Sequence, residues 1–201
     1  MNKGNDSKFL MVALFIFISA CKGPAVPKPR GYFRIDFPEK KYERFNSDCA
    51  FSFEAPVYGK ILRSGLPTAG PCWYDIRFND YGATLYLTYK SLRNSDLAQY
   101  SEDVRRIVYK HIVKADDIVE VPVDRPGSDV YGFIYYIEGN TASSVNFYIT
   151  DSTTGFVNGS LYFDVRPNID SLAPSIEFFK KDIIHFINSF EWELKEDATN
   201  I

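Results

Sequence analysis

Ala83-Thr-Leu-Tyr-Leu-Thr-Tyr-Lys90 alternates strictly, with Leu85, Leu87 and Tyr89 on one side and Thr84, Tyr86 and Thr88 on the other. This is the period-two signature of a half-buried strand. A few residues later the period changes. Across Ser95 to Asp116, Leu97, Tyr100, Val104, Ile107, Val108, His111 and Ala115 recur every three or four positions. They share one stripe of a helix, capped by Asn94 or Ser95, that should lie on the sheet.

Working outward, Ala50 to Ala55 and Trp73 to Phe78 read as strands before this pair. Val130 to Glu138, Ser144 to Thr150 and Gly159 to Val165 read as a meander after it. The meander turns at Gly139-Asn140 and at Asp151-Ser-Thr-Thr-Gly155, and Val145, Phe147 and Ile149 point the same way. A second helix is expected from about Pro174 to Asn188. Pro174 would be tolerated in its first turn, and Ile176, Phe179, Ile183, Phe186 and Ile187 form the buried stripe. Phe190, Trp192 and Leu194 then alternate with Glu191 and Glu193 as a last strand. Strands, helix, strands, helix, strand is the order of an α+β fold, a mainly antiparallel β-sheet covered by two principal helices.

The apolar fraction of 45% and charged fraction of 24% are those of an ordinary globular protein, and the net charge of -3 attracts no nucleic acid. Aromatic residues make up 16% of the chain. In alternating runs they suit packing across strands.

Residues 9 to 21, Phe-Leu-Met-Val-Ala-Leu-Phe-Ile-Phe-Ile-Ser-Ala-Cys, form an apolar run flanked by Lys3 and Lys8. It is too short for a transmembrane helix of about 20 residues and suits a signal peptide. Small residues before Cys21 match the bacterial lipoprotein pattern, in which the Cys21 thiol is lipidated and becomes the new amino terminus. Two or three acyl chains at ~0.8 kcal/mol per CH₂ hold a protein stably where one would be marginal. Lys22 is not the aspartate that often retains such proteins at the inner membrane, so the expected place is the outer membrane, facing the periplasm. The chain divides into a signal over 1–20, a Pro-rich extended tether over 21–30, an α+β domain over 31–195 and a polar tail over 196–201.

Cys49 and Cys72 remain in an oxidising compartment, where a disulfide is the default reading ahead of metal ligation or two separate thiols. No metal site is expected, since no third or fourth ligand lies nearby. His111 and His185 are the only histidines. The chain lacks a His-Glu-x-x-His helix, a Gly-x-Ser-x-Gly elbow, a Walker loop and a dinucleotide glycine fingerprint, so no catalytic residue and no cofactor is assigned. His111 reads as a histidine packed in the first helix's stripe. Asp116-Asp117 and Glu102-Asp103 read as a solvated helix face, because adjacent helical residues point apart.

Between tether and first strand, Arg30, Arg34, Lys40 and Lys41 interleave with Tyr32, Phe33, Phe37 and Tyr42. Either this leader lies across the domain and buries its aromatics, or Arg30, Tyr32, Phe33 and Arg34 dock a partner, Tyr, Phe and Arg being the residues that carry interface energy. Trp73 has the same two readings, packing beside the disulfide first. Asp151-Ser152-Thr153 and Asp170-Ser171-Leu172, in expected loops, fit a short pattern for O-glycosylation at Ser152 and Ser171.

Pro29-Arg-Gly-Tyr-Phe-Arg-Ile-Asp-Phe-Pro38, Pro71-Cys-Trp-Tyr74, Tyr109-Lys-His-Ile-Val-Lys-Ala-Asp116, Glu138-Gly-Asn-Thr-Ala-Ser-Ser144 and Ser171-Leu-Ala-Pro174 together closely resemble the gliding-motility lipoprotein family GldD. The resemblance implies a lipid-anchored protein needed for gliding and the associated type IX protein secretion, with no enzymatic activity. It further implies partners among other gliding or secretion lipoproteins and outer-membrane components. Phe51-Ser-Phe-Glu-Ala-Pro56, Gly132-Phe-Ile-Tyr-Tyr-Ile-Glu138 and Ser189-Phe190-Glu191 look like the layout of PsbP-type domains, an α/β/α sandwich. The expected function is non-catalytic support of assembly or stability of that machinery. A periplasmic ligand binder, a cargo chaperone and a cell-wall hydrolase are the alternatives.

Overall fold

A computed structural model describes residues 35–92 and 96–193. In chain order the elements are β1 (Tyr42–Asn46), β2 (Phe51–Pro56), β3 (Lys60–Arg63), β4 (Tyr74–Phe78), β5 (Ala83–Ser91), α1 (Asp96–Tyr109), β6 (Ala115–Arg125), β7 (Val130–Gly139), β8 (Ser143–Thr150), β9 (Gly155–Phe163), α2 (Ile169–Ser189) and β10 (Glu191–Trp192). Seven strands pair in the order β3-β4-β5-β9-β8-β7-β6, and β1-β2-β10 form a second sheet. Every pairing is antiparallel.

Alternation along the strands sorts side chains into two cores. Val145, Phe147 and Ile149 of β8 share one face with Leu85, Leu87, Val157 and Leu161. There they pack with Phe51 and Phe53 of β2 and with Phe179, Ile183 and Phe186 of α2. Tyr148 and Phe156, one residue out of phase, point the other way and join Tyr135 and Ile137 under Val104 and Val108 of α1. The large sheet therefore lies between α1 on one face and α2 with the small sheet on the other, the expected α+β arrangement. Packing is close at Gly159, where a Cβ would lie 2.2 Å from the ring of Phe147, itself wholly buried.

Four local expectations differ from the structure. The strands β1, β3 and β6 were not expected, and neither was the second sheet. The first helix stops at Tyr109 and is followed by a one-turn 3₁₀ helix over Lys110–Val113, because Ala115 already pairs with Gly139 as the start of β6. His111 therefore lies outside the α1 stripe, Ile107 is 47% exposed, and Asp116 and Asp117 belong to a strand. The second helix starts five residues early, at Ile169, whose N–H donates to Asn140 Oδ1 at 2.8 Å. That partner is 29 residues away. Pro174 thus sits inside the helix and Ser171 in its first turn, with the Ser171 hydroxyl donating to the Asn168 carbonyl at 3.1 Å.

Candidate functional site

The segment running into β1 lies along α2. Phe37 stacks on Phe178 with centroids 4.2 Å apart and on Tyr81 at 5.6 Å. Three residues on, Lys40 Nζ reaches Asp182 Oδ2 at 2.7 Å, donates to the Phe178 carbonyl at 3.0 Å, and lies 3.0 Å from the centre of the Phe178 ring. Cation and aromatic face attract each other at such a separation.

Asp182 is 4% exposed, so its carboxylate needs compensating donors. The Tyr42 hydroxyl donates to Oδ1 at 2.8 Å. Tyr58 Oη lies 2.8 and 2.7 Å from the two carboxylate oxygens and accepts from Lys40 at 2.8 Å. Burial, then the bond to Asp182 and its negative charge, push both hydroxyls well above the usual tyrosine range. Burial draws the Lys40 ammonium down, against the bond to Asp182 that holds it up. Beside this cluster His185 stacks on Tyr42 at 3.6 Å, and its Nε2 lies 2.6 Å from Glu54 Oε2.

These groups form a closed latch between the leader, β2 and α2. The acidic oxygens of Asp182 are occupied by the protein's own donors, which suits holding a segment in place. Sequence reading named Lys40 and Tyr42 only as parts of an aromatic and basic leader. It missed Tyr58, Asp182, Glu54 and His185, because residues up to 140 positions apart meet here. The one local signal was a carboxylate, Asp182, inside the apolar stripe of α2.

The other site candidates fall elsewhere. Cys49 and Cys72 are joined by a disulfide with Cα atoms 5.9 Å apart. Trp73 beside it is half-buried and donates its indole N–H to the Tyr89 carbonyl at 3.1 Å. Ser152 and Ser171 are exposed and far apart in the fold, Ser152 in the turn between β8 and β9. His111 is half-buried, and burial draws its imidazole down from the ordinary histidine value. Cys21, Arg30, Tyr32, Phe33, Arg34, the tether, Asn94, Ser95 and Leu194 lie outside the described residues.

A family profile described as "Gliding motility lipoprotein GldD" matches residues 22–192, nearly all of the chain beyond Cys21. The chain belongs to this family. GldD membership gives it a role in gliding motility, attachment to a membrane as a lipoprotein and association with motility components; the family is not a known family of enzymes. Among the described residues no helix is long and apolar enough to cross a membrane. No protein of curated function matches the chain. Among solved structures, the solution structure of cyanobacterial PsbP (CyanoP) from Synechocystis sp. PCC 6803 is similar. It has 12% identity and a TM-score of 0.47, covering 85% of this chain and 99% of that one.

Proposed function

We propose that the protein is a non-catalytic lipoprotein of the outer membrane, facing the periplasm, that supports assembly or stability of the gliding and type IX secretion machinery. The observation carrying this reading is the family match, which begins at Lys22, the residue after the lipidation cysteine. In this reading residues 1–20 are a cleaved signal, Cys21 carries the lipid and residues 21–30 are a tether. Residues 31–195 form the working domain, and 196–201 a tail.

The latch supports a mechanical rather than a chemical role. It ties the leader to α2 through Phe37, Lys40 and Tyr42, so the domain is held by its most deeply packed helix. Anchoring raises its concentration near membrane-bound partners without any strong single contact. Arg30, Tyr32, Phe33 and Arg34, between tether and latch, are the proposed docking residues.

The test is crosslinking of the native lipoprotein in intact cells, with neighbours identified by mass spectrometry and a Cys21→Ala form as control. Anchor-dependent recovery of gliding or secretion lipoproteins is the expected outcome. Recovery only of cell-wall fragments or diverse cargo defeats the proposal. A second reading, a ligand binder, is favoured by a groove of about 600 Å³ between α1 and β7–β8, where Leu97, Ser101, Tyr131, Phe133 and Tyr148 converge. A small molecule in the mass spectrum of the native protein would support it.

A further inference from the structure

The strand register puts one set of connections at a single end of the large sheet. Ala115 at the start of β6 faces Gly139 at the end of β7, and Tyr162 faces Ser143. Phe163 in turn faces Ala83, Ala83 faces Phe78, and Arg77 faces Lys60. The connections over 57–59, 79–82, 110–114, 140–142 and 164–168 therefore emerge together. This end carries solvent-exposed apolar side chains: Val113 at 86%, Ile112 at 59%, Val165 at 56% and Val57 at 49%. Val113 and Ile112 form the tip of the turn over Lys110–Val113.

Lys110 and Lys114 flank that tip in the chain. From Arg105 to Lys114 the chain has Arg105, Arg106, Lys110 and Lys114 and no carboxylate. Arg105, Arg106 and Lys110 line a groove of about 400 Å³ with Tyr109 and Glu102. Arg105 faces Glu120 and Arg106 pairs with Asp103, whereas Lys110 and Lys114 form no ion pair among the described residues. Asp116 lies just beyond Lys114, at the start of β6. Exposed apolar side chains held between two unpaired lysines is the chemistry of a segment lying in a bilayer interface with anionic headgroups.

The described chain begins near the same end. Phe37 stacks on Tyr81, in the connection between β4 and β5. From Cys21 to Ile35 there are 14 residue steps, at most about 43 Å in extended polyproline form. The sheet from β4 to β6 is five strand spacings wide, roughly 24 Å. The chain length between Cys21 and Ile35 therefore exceeds that span, so a lipid on Cys21 leaves the tip within reach of a membrane.

We propose that the turn over Lys110–Val113 is a second membrane contact, with Ile112 and Val113 inserted in the interface and Lys110 and Lys114 holding phosphates of anionic lipid. The inference rests on lipid attachment at Cys21. Two side chains on one helical turn are far short of the ~800 Å² per partner of a stable protein interface. They suffice for a bilayer that the anchor already holds close.

The experiment uses full-length acylated protein in vesicles of phosphatidylethanolamine with phosphatidylglycerol. Spin labels are placed at Val113→Cys or, at the opposite end of the sheet, at Leu66→Cys, where Leu66 is 55% exposed. Flotation with the vesicles reports the anchor separately from the contact. The Val113 label should show a severalfold loss of accessibility to a water-soluble nickel complex and a gain to oxygen, while the Leu66 label stays aqueous. Replacing phosphatidylglycerol by phosphatidylcholine, or introducing Lys110→Glu with Lys114→Glu, should return the Val113 label to water. Protein that floats with its Val113 label as water-accessible as Leu66 overturns the inference. Protection seen only in cells, never in vesicles, overturns it too and assigns the tip to a protein partner. Failure to float counts against lipidation at Cys21 instead.

Discussion

Replacing Asp182 by alanine removes the centre of the latch. The structure sets the magnitude. Three donors then lose their acceptor: the Tyr42 and Tyr58 hydroxyls and the Lys40 ammonium, whose side chain is only 25% exposed. Breaking a buried ion pair by deleting one partner costs ~3–5 kcal/mol, since the remaining charge keeps its desolvation penalty. Lys40→Met removes the other partner. It leaves Asp182, the more buried charge with 5% of its side chain exposed, without its cation but with two tyrosine donors, so a loss of the same order, ~3–5 kcal/mol, is expected. In urea, where small domains lose ~1–3 kcal/mol per molar, Asp182→Ala should lower the midpoint by one molar or more. Tryptophan fluorescence and far-UV circular dichroism should give coincident transitions. A midpoint for Asp182→Ala within error of the parent would refute the account of Asp182 as a saturated buried anion.

Three further outcomes are expected. The raised Tyr42 and Tyr58 hydroxyls keep their protons in the native state, whereas the unfolded chain releases them near pH 10, at about the free tyrosine value. The native state then binds more protons than the unfolded one, so stability is full below about pH 10 and falls as pH rises beyond it. Lys40, drawn down, has the opposite sign but is one group against several raised tyrosines. Tyr58→Phe should flatten the alkaline fall in urea midpoints, and an unchanged slope would count against this linkage. Reduction of the Cys49–Cys72 bridge, or Cys49→Ala with Cys72→Ala, frees a loop with a sequence separation of 23. In the chain-entropy model the loss is about 3.5 kcal/mol, checked by melts with and without reductant. Gly159→Ala forces a methyl into the Phe147 ring. It should cost about 1–3 kcal/mol by overpacking, and a neutral calorimetric result would show that the ring has room to move.

Alternating residues in β5 and β8 and the stripe of α2 were legible because each reports its own buried face. Val145, Phe147 and Ile149 point one way whatever the partner strand, and Ile176, Phe179, Ile183, Phe186 and Ile187 line one side of any helix they form. The strand β6 was harder to see. Its residues are largely exposed, and Ala115 happens to fall in phase with the helical stripe before it. Only pairing with Gly139 decides that the helix has ended. The start of α2 was hidden for a similar reason, since its first N–H is satisfied by Asn140 from another turn. The leader's aromatic and basic character was visible, whereas the partners of Lys40 and Tyr42 were not.

The sequence by itself determined the compositional class, the α+β order of elements, the lipoprotein pattern at Cys21 and the default reading of Cys49 with Cys72, because each is set by local periodicity or short spacing. Only the tertiary structure decided that the strands divide into two sheets, that Asp182 is met by Tyr42, Tyr58 and Lys40, and that the exposed Ile112–Val113 tip shares an end with the incoming leader. Those features depend on contacts between residues distant in the chain, which no local pattern encodes.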